Sequence, residues 1–547
     1  MIKKNLLVYC VLGAVFILES VFLYFTIYRA SYFTVTGIGK ITFWTLFVEL
    51  FLIIGFAAFF AIKSWNKIKI NKKIVLLLVG LAVIAIFLRM KQPLLHGHFF
   101  DEDIYLHEAQ MMAINHTANS CLNGWFDASG LQCALYNDMP ALKQGYPLML
   151  SVIFSLLGVM NENIAFGFNL VVSVLTIYLV FFIGREIWSP ISGWFAAIIL
   201  TVLPFHIYWS ISTSSDLPGL FFLLSAVLSF IVYLKNEKPE TLLFSGFLLS
   251  YAAAIRGGEY LLLAPVFFLP LLIGQNKLSR FLSNRFHVVL LVLLTLFFTW
   301  NIASVTLSVG AYSNTLSAFG HQYLASSKSF FENLKMMISY HRTIGDLITM
   351  ALACLGPVGF YLLWRRNRKA AIYFGLIAAL MFLFYSAFAF GGYSQIHQIS
   401  NSRFALIWLS LGAVFAGIAL DFAVNLSAKK NLLVFAFSFA SVFYIHQNFS
   451  ELITNRSGDI FHKEAADNLS FEKQHPDCLY VAFIPAQELF HGYSAMSYDW
   501  LTAHSLPENQ CIIFLESSVC KDLSSCTSLK ERYSWVPAAD NIWQLQR

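Results

Sequence analysis

The sequence predicts a polytopic α-helical membrane protein of about thirteen spans, followed by a small C-terminal α/β domain outside the membrane. Three observations carry that expectation. Hydrophobic residues make up 58% of the 547 and charged residues only 12%, against roughly 25% charged in ordinary soluble domains, so a soluble single core is excluded. Apolar runs of about 18 to 22 residues, the length that crosses hydrocarbon as a helix, recur along most of the chain with the charges gathered between them. The tail from Asn448 instead alternates short strand-like runs with polar segments.

Taken in order, the apolar runs are 6 to 27, 41 to 62, 74 to 90, 164 to 183, 189 to 209, 217 to 234, 241 to 255, 259 to 274, 287 to 308, 346 to 364, 370 to 390, 404 to 423 and 431 to 447. The first is too long for a signal peptide and no small-x-small cleavage site follows it, so it reads as a retained helix. With the N-terminus cytoplasmic, the inside loops are Lys63 to Lys73 with five lysines, Lys235 to Glu240, Gln275 to Arg285, Arg365 to Lys369 with four basic residues, and Lys429-Lys430. This obeys the positive-inside rule. It also accounts for the net charge of +6 without any nucleic-acid partner; the partner of this surface is the lipid bilayer. An odd number of spans puts the C-terminus outside, on the same face as the loop from Lys91 to Asn163. The expected division is therefore 1–73 (two helices and a basic loop), 74–447 (the main membrane domain with outer loop 91–163) and 448–547 (the outer α/β domain). A multi-pass protein of a plasma, inner or endoplasmic reticulum membrane follows.

Cysteine placement agrees with an oxidising outer side. Cys10 and Cys354 fall within spans; Cys121 and Cys133 fall in the outer loop, and Cys478, Cys511, Cys520 and Cys526 in the tail. Each outer segment holds an even number, which predicts a Cys121–Cys133 bridge and two bridges in the tail. The tail's runs Cys478-Leu-Tyr-Val-Ala-Phe-Ile and Cys511-Ile-Ile-Phe-Leu read as strands, and no nucleotide-binding or HExxH pattern occurs in it.

Three clusters carry candidate chemistry. After the third span comes His96-Gly-His98-Phe-Phe-Asp101-Glu102-Asp103-Ile-Tyr105-Leu-His107-Glu108. Acids favour helix N-termini, so the triplet is open to reading as the cap of a helix beginning near Ile104; equally, a carboxylate shielded at a membrane exit can serve as a general base. The histidines match no strong zinc spacing, and a divalent metal held by the acids is allowed but not required. The second cluster is Ser212-Thr-Ser-Ser-Asp216-Leu-Pro218, where Asp216 is either a helix cap or a functional acid at the outer mouth. The third is Arg256-Gly-Gly-Glu259, a charged pair interrupting an apolar stretch. Charge at that depth marks a site unless it is paired, and guanidinium suits phosphate.

These segments resemble, in the same order, those of the GT-C membrane glycosyltransferases, in the branch of the protein O-mannosyltransferases and the aminoarabinose transferase of lipid A. Asp101-Glu102-Asp103-Ile-Tyr105 resembles the Asp-Glu-x-x-Tyr signature of the first outer loop, and Lys143-Gln-Gly-Tyr-Pro147 the Pro-containing interfacial helix. Phe168-Asn-Leu to Gly184-Arg185 is similar to the span after that loop, Leu203-Pro204 to Asp216 to the segment with the second outer acid, Ala253-Ala-Ile-Arg256-Gly-Gly-Glu259 to the basic turn at the lipid phosphate, and Ser402-Arg403-Phe404 to the late Arg-aromatic element. The likeness covers residues 74 to 423. Two spans precede the family's usual start, Gly-Gly follows Arg256 where relatives carry Pro, and the tail matches no motif.

The resemblance implies a GT-C fold and a polyprenyl-phosphate sugar as donor substrate, with a glycan, lipid or protein hydroxyl as acceptor. It implies that Asp101 takes the acceptor's proton as the hydroxyl attacks the anomeric carbon with inversion. Arg256 and Arg403 would bind the leaving phosphate, Glu102 and Asp216 position the acceptor or an ion, and Tyr105 and Glu259 support the site. A lipid-linked glycan transporter or flippase, or a non-catalytic assembly protein, also needs many spans. A transporter usually shows internal repeats and mid-membrane ionisable groups; here no repeat is evident and the charges gather at the outer mouth.

Overall fold

The computed structural model describes residues 35–65, 72–91, 100–127, 130–136, 143–256, 259–273, 281–282, 284–311, 347–387, 397–426, 434, 436–438, 440–441, 467–482, 486–498, 511–516, 524–539 and 541–546. The first apolar run, Cys10, His96, His98 and Cys520 lie outside these residues.

Helices follow the apolar runs because unbroken Leu, Ile, Val and Phe stretches in lipid must close every backbone hydrogen bond within themselves. In chain order they are α1 (Val35–Trp65), α2 (Lys72–Met90), α3 (Phe100–Asn115), α4 (Gly145–Leu157), α5 (Glu162–Ile187), α6 (Pro190–Val202), α7 (Pro204–Ser210), α8 (Asp216–Asn236), α9 (Pro239–Arg256), α10 (Ala264–Ile273), α11 (Arg285–Ala311), α12 (Leu347–Arg366), α13 (Arg368–Ala387) and α14 (His397–Asn425). Among the described residues, five single helical stretches are long and apolar enough to cross a membrane: Gly37–Ile62, Glu162–Ile187, Asp216–Asn236, Arg285–Ala303 and Ala405–Asn425. The protein is an integral membrane protein.

The run expected to form one span over 189 to 209 is divided into two helices, α6 and α7, bent by 62° at the break, which together are long and apolar enough for one broken span. Pro204 offers no N–H to the helix before it, and Leu203 ahead of it takes φ −67°, ψ 117°, outside the helical region. The buried Arg89 of α2 reaches this break: Nη1 donates to the carbonyls of Ala85 at 3.0 Å and Thr201 at 3.4 Å, and Nη2 lies 2.7 Å from Nδ1 of His206. A carbonyl freed by the kink thus finds a donor from another helix.

Helices α5, α6, α8, α9 and α14 form the centre of the bundle; α8 packs along α9, α5 along α6 and α8, and α14 along α6 and α12. One apolar core runs through them, including Phe181, Ile199, Leu223, Phe247 and Leu406.

Outside the bundle the described residues form a mixed sheet of seven strands, ordered β2-β1-β4-β3-β5-β7-β6. Its strands are β1 (Cys121–Asp127), β2 (Gly130–Tyr136), β3 (Leu479–Ala482), β4 (Ala495–Ser497), β5 (Ile512–Leu515), β6 (Trp535–Ala539) and β7 (Ile542–Leu545). The tail does not make this sheet alone. The hairpin β1–β2 of the first loop extends it, with Gly124 opposite Ala495 and Asn123 Oδ1 accepting from the Ser497 amide at 2.7 Å. The alternation of side chains along β3 fills both faces. Tyr480 and Ala482 pack with Met111 of α3 and Cys121, while Leu479 and Val481 pack with Phe514 and Leu529 of α16 (Ser524–Arg532). Disulfides join Cys121 to Cys133 and Cys478 to Cys511. Cys526 is also disulfide-bonded, and its partner lies outside the described residues.

Candidate active site

The site forms where five chain segments converge at one end of the bundle: the first turns of α3 and α4, the middle of α5, the loop 211–215 with the start of α8, and the end of α9. The acids of the first cluster lie within the opening turn of α3, which begins at Phe100 rather than near Ile104. Carboxylates in a first turn are favoured by the N-terminal end of the helix dipole, so the helix extends through them. Glu102 is fully buried, and its Oε2 accepts a hydrogen bond from Thr213 Oγ1 at 3.2 Å. Asp103 is half-buried. The backbone of Asp101 is helical; its side chain lies outside the described residues, as do those of Glu259 and Arg403, whose backbones belong to a 3-10 turn (Glu259–Leu263) and to α14.

The loop 211–215 is held from α5. Asn169 Nδ2 donates to the carbonyls of Ser212 and Ser214, at 2.6 and 2.9 Å. That grip presents Thr213 to Glu102 and delivers the chain to Asp216. Asp216 does not cap α8: Ser215 occupies the cap position and Asp216 is the first helical residue. Its carboxylate instead pairs with the Arg256 guanidinium at the last position of α9, and both side chains are 2% exposed. Arg256 is thus paired with the second outer acid. Gly219, one turn into α8, makes room for this crossing, since a Cβ there would stand 2.4 Å from Arg256 Cγ.

The start of α4 closes the cluster. Gly145 packs on the end of α9, where an added Cβ would meet Ile255 Cγ1 at 2.9 Å, and Tyr251 of α9 donates to the Gly145 carbonyl at 2.9 Å. The next residue, Tyr146, is fully buried edge-on to Tyr105, with ring centroids 5.8 Å apart. Burial, then the negative charges of Glu102 and Asp216, push its hydroxyl well above the ordinary tyrosine range. Lys143 Nζ lies 5.6 Å from the Tyr105 ring centroid. Thus Glu102, Tyr105, Asp216 and Arg256 are gathered in one buried region, together with Tyr146 and Thr213, which the sequence reading did not single out. Tyr146 had a signal, an aromatic directly after a glycine at a helix start; Thr213 had none beyond its place in a polar loop.

Behind the acids, α3 is fastened to the sheet. The Cys121 amide donates to His107 Nε2 at 3.1 Å, so Nδ1 carries the ring proton and donates to Gln110 Oε1 at 3.1 Å. Gln110 Nε2 in turn donates to the Phe490 carbonyl at the end of α15 (Ala486–Phe490), 3.3 Å away. Burial pushes His107 down to about 4, which keeps it neutral. Among the described residues there is no group of three or more His, Cys, Asp or Glu side chains placed to hold a metal ion.

The family described as dolichyl-phosphate-mannose-protein mannosyltransferase matches residues 145–303, from the start of α4 into α11. Comparison with curated proteins found no match. Among solved structures, ArnT from Cupriavidus metallidurans in the apo state is similar with a TM-score of 0.59 and 13% identity, over 86% of this chain and 98% of that one. The same protein bound to undecaprenyl phosphate gives 0.57 at 14% identity, over 87% and 98%. The oligosaccharyltransferase of Archaeoglobus fulgidus in complex with zinc and sulfate gives 0.50 at 15% identity, over 77% of this chain and 62% of that one. At these identities the structural likeness is one of fold. The family match is thus confined to residues 145–303, while the fold shared with ArnT extends over 86% of this chain.

Proposed function

We propose that this protein transfers a sugar from a polyprenyl-phosphate donor to an acceptor hydroxyl at the outer face of the membrane, with inversion at the anomeric carbon. The observation that carries this reading is the buried pair of the Arg256 guanidinium with Asp216, beside a loop whose Thr213 holds the buried carboxylate of Glu102. The acceptor oxygen bonds to the anomeric carbon while its proton passes to Asp101, which begins the same helix as Glu102. The bond from that carbon to the phosphate oxygen breaks, and the electron pair stays on the phosphate, facing Arg256. Charge that develops there meets a cation already in place, in surroundings that exclude water. Arg403 is the second candidate cation, Tyr105 and Glu259 support the wall of the site, and residues 448–547 form an outer domain beside about thirteen spans. That an undecaprenyl phosphate complex exists for a protein of the same fold agrees with a lipid phosphate donor.

The test is a transfer assay in membranes or detergent, with radiolabelled sugars on polyprenyl phosphate. Arg256→Ala should lose donor use by about 1.5 to 3 kcal/mol, the range for hydrogen bonds to a charged group. Arg256→Lys should keep part of it, since charge survives while the planar fork does not. Undiminished donor binding by Arg256→Ala would remove the phosphate role.

A further inference from the structure

The Arg256–Asp216 pair is buried and neutral as a unit. A donor phosphate, itself an anion, cannot simply add to it. A phosphate beside an intact pair would leave an uncompensated negative charge in a place sheltered from water, which is costly. The alternative is exchange. We infer that Asp216 is an internal stand-in for the donor phosphate: it holds Arg256 in the donor-free enzyme, yields it when the lipid phosphate binds, and reclaims it as the spent polyprenyl phosphate leaves. This rests on the proposed transfer from a polyprenyl-phosphate donor.

Three features support exchange. Among the described residues, Asp216 grips Arg256 through Oδ1, and its buried Oδ2 has no hydrogen-bond partner. Buried carboxylates with a purely structural task are normally bonded at both oxygens, so this one is held by half its capacity. Next, the pair joins the first residue of α8 to the last of α9, two helices packed along their length. The stem of Arg256 is confined where it crosses Gly219, so exchange needs movement only of the guanidinium end and the short Asp216 side chain. Finally, the released carboxylate has a donor at hand, since the neighbouring Ser215 hydroxyl is buried and has no hydrogen-bond partner among the described residues.

The chemistry gives exchange a purpose. When the sugar leaves, the phosphate goes from diester to monoester and gains a negative charge, so the product holds Arg256 more strongly than the donor did. Without a competitor, the spent lipid would stay. A carboxylate one residue's reach away opposes that and speeds release.

The experiment measures binding of undecaprenyl monophosphate to the detergent-solubilised full chain, by titration calorimetry and by thermal shift, in wild type, Asp216→Asn, Asp216→Glu and Arg256→Ala. Asp216→Asn should bind the lipid about tenfold or more tightly than wild type, a coupling typical of linked sites. In turnover it should show lower kcat, lower donor KM and stronger inhibition by added undecaprenyl monophosphate. Asp216→Glu, which keeps the carboxylate, should bind near wild-type strength. If loss of the Asp216 charge lowers the melting temperature of Asp216→Asn, the lipid should raise it by more than it raises wild type's. Equal affinity in wild type and Asp216→Asn, or lipid that binds wild type and fails to stabilise Asp216→Asn, overturns the exchange. Wild-type protein that does not bind the lipid, or Arg256→Ala that binds it undiminished, overturns the donor reading as well.

Discussion

At the scale of single residues, the first turn of α3 separates two roles that the sequence alone leaves open. Asp101, Glu102 and Asp103 share that turn, and all three benefit from the helix dipole. Only a general base needs its proton affinity, so Asn at position 101 should serve nearly as well for helix structure while removing catalysis. Asp101→Asn should lower sugar transfer by about 100- to 10,000-fold, with melting temperature near wild type. Glu102→Gln should be intermediate: it keeps an acceptor for the Thr213 hydroxyl and loses the charge that bears on Tyr146. Asp103, half-buried, should tolerate Asn with mild loss. Full transfer by a well-folded Asp101→Asn protein would sink the base assignment. The acids and Arg256 were legible in the sequence because ionisable residues are conspicuous beside apolar runs. Their pairing was not: Asp216 and Arg256 are 40 residues apart, and only the packing of α8 on α9 decides that Arg256 meets this carboxylate. Thr213 was invisible for a related reason, since its importance comes from a neighbour on another helix.

At the scale of elements, α3 is a lever between site and sheet. Its first turn holds the acids and its second and third turns hold His107 and Gln110, which bond to β1 and α15. His107 accepts the Cys121 amide only while Nε2 is unprotonated. Its folded-state value of about 4 lies below the ordinary histidine value of about 6.5. The unfolded chain therefore binds the proton more readily, and the sign follows: stability is fully present above about 6.5, falls as pH drops towards 4, and changes no further from this group below that. The whole window is worth about 3 kcal/mol at most. Acidification from pH 7 to about 4.5 should accordingly lower the melting temperature and expose the Cys121 amide to hydrogen exchange, and His107→Gln should flatten this dependence. A wild-type profile unchanged by that substitution would assign the acid sensitivity to other groups. Sequence periodicity found most helices because apolar length suffices for them. It missed the division of α6 from α7, where one proline outweighs an otherwise continuous apolar run. It also missed the hairpin β1–β2, whose residues show no clear alternation and which gain their place by pairing with strands more than 350 positions later.

At the scale of the whole molecule, that long-range pairing constrains topology. Residues bonded in one sheet lie on one side of a membrane, so the hairpin with Gly124 and the strand with Ala495 share a compartment. The sequence alone reached the same arrangement from loop charge, a separate argument. Strand pairing cannot say which compartment, but charge and cysteine chemistry can. The lysines between 63 and 73 and the basic run from Arg365 to Lys369 favour the cytoplasm for the opposite face, and the Cys121–Cys133 and Cys478–Cys511 bridges favour an oxidising side for the sheet. Reporter tags at Lys67 and Arg366 should therefore read cytoplasm, and tags at Gly130 and Arg547 the outer side. Alkylation of the intact, unreduced protein should leave Cys121, Cys133, Cys478, Cys511 and Cys526 unlabelled and reach Cys354, the one free and exposed thiol among the described residues, once lipid is replaced by detergent. Opposite readings at Gly130 and Arg547 would contradict the sheet itself. A shared cytoplasmic reading would leave the sheet intact and move the acids to the inner face, and with them the compartment from which donor and acceptor must come.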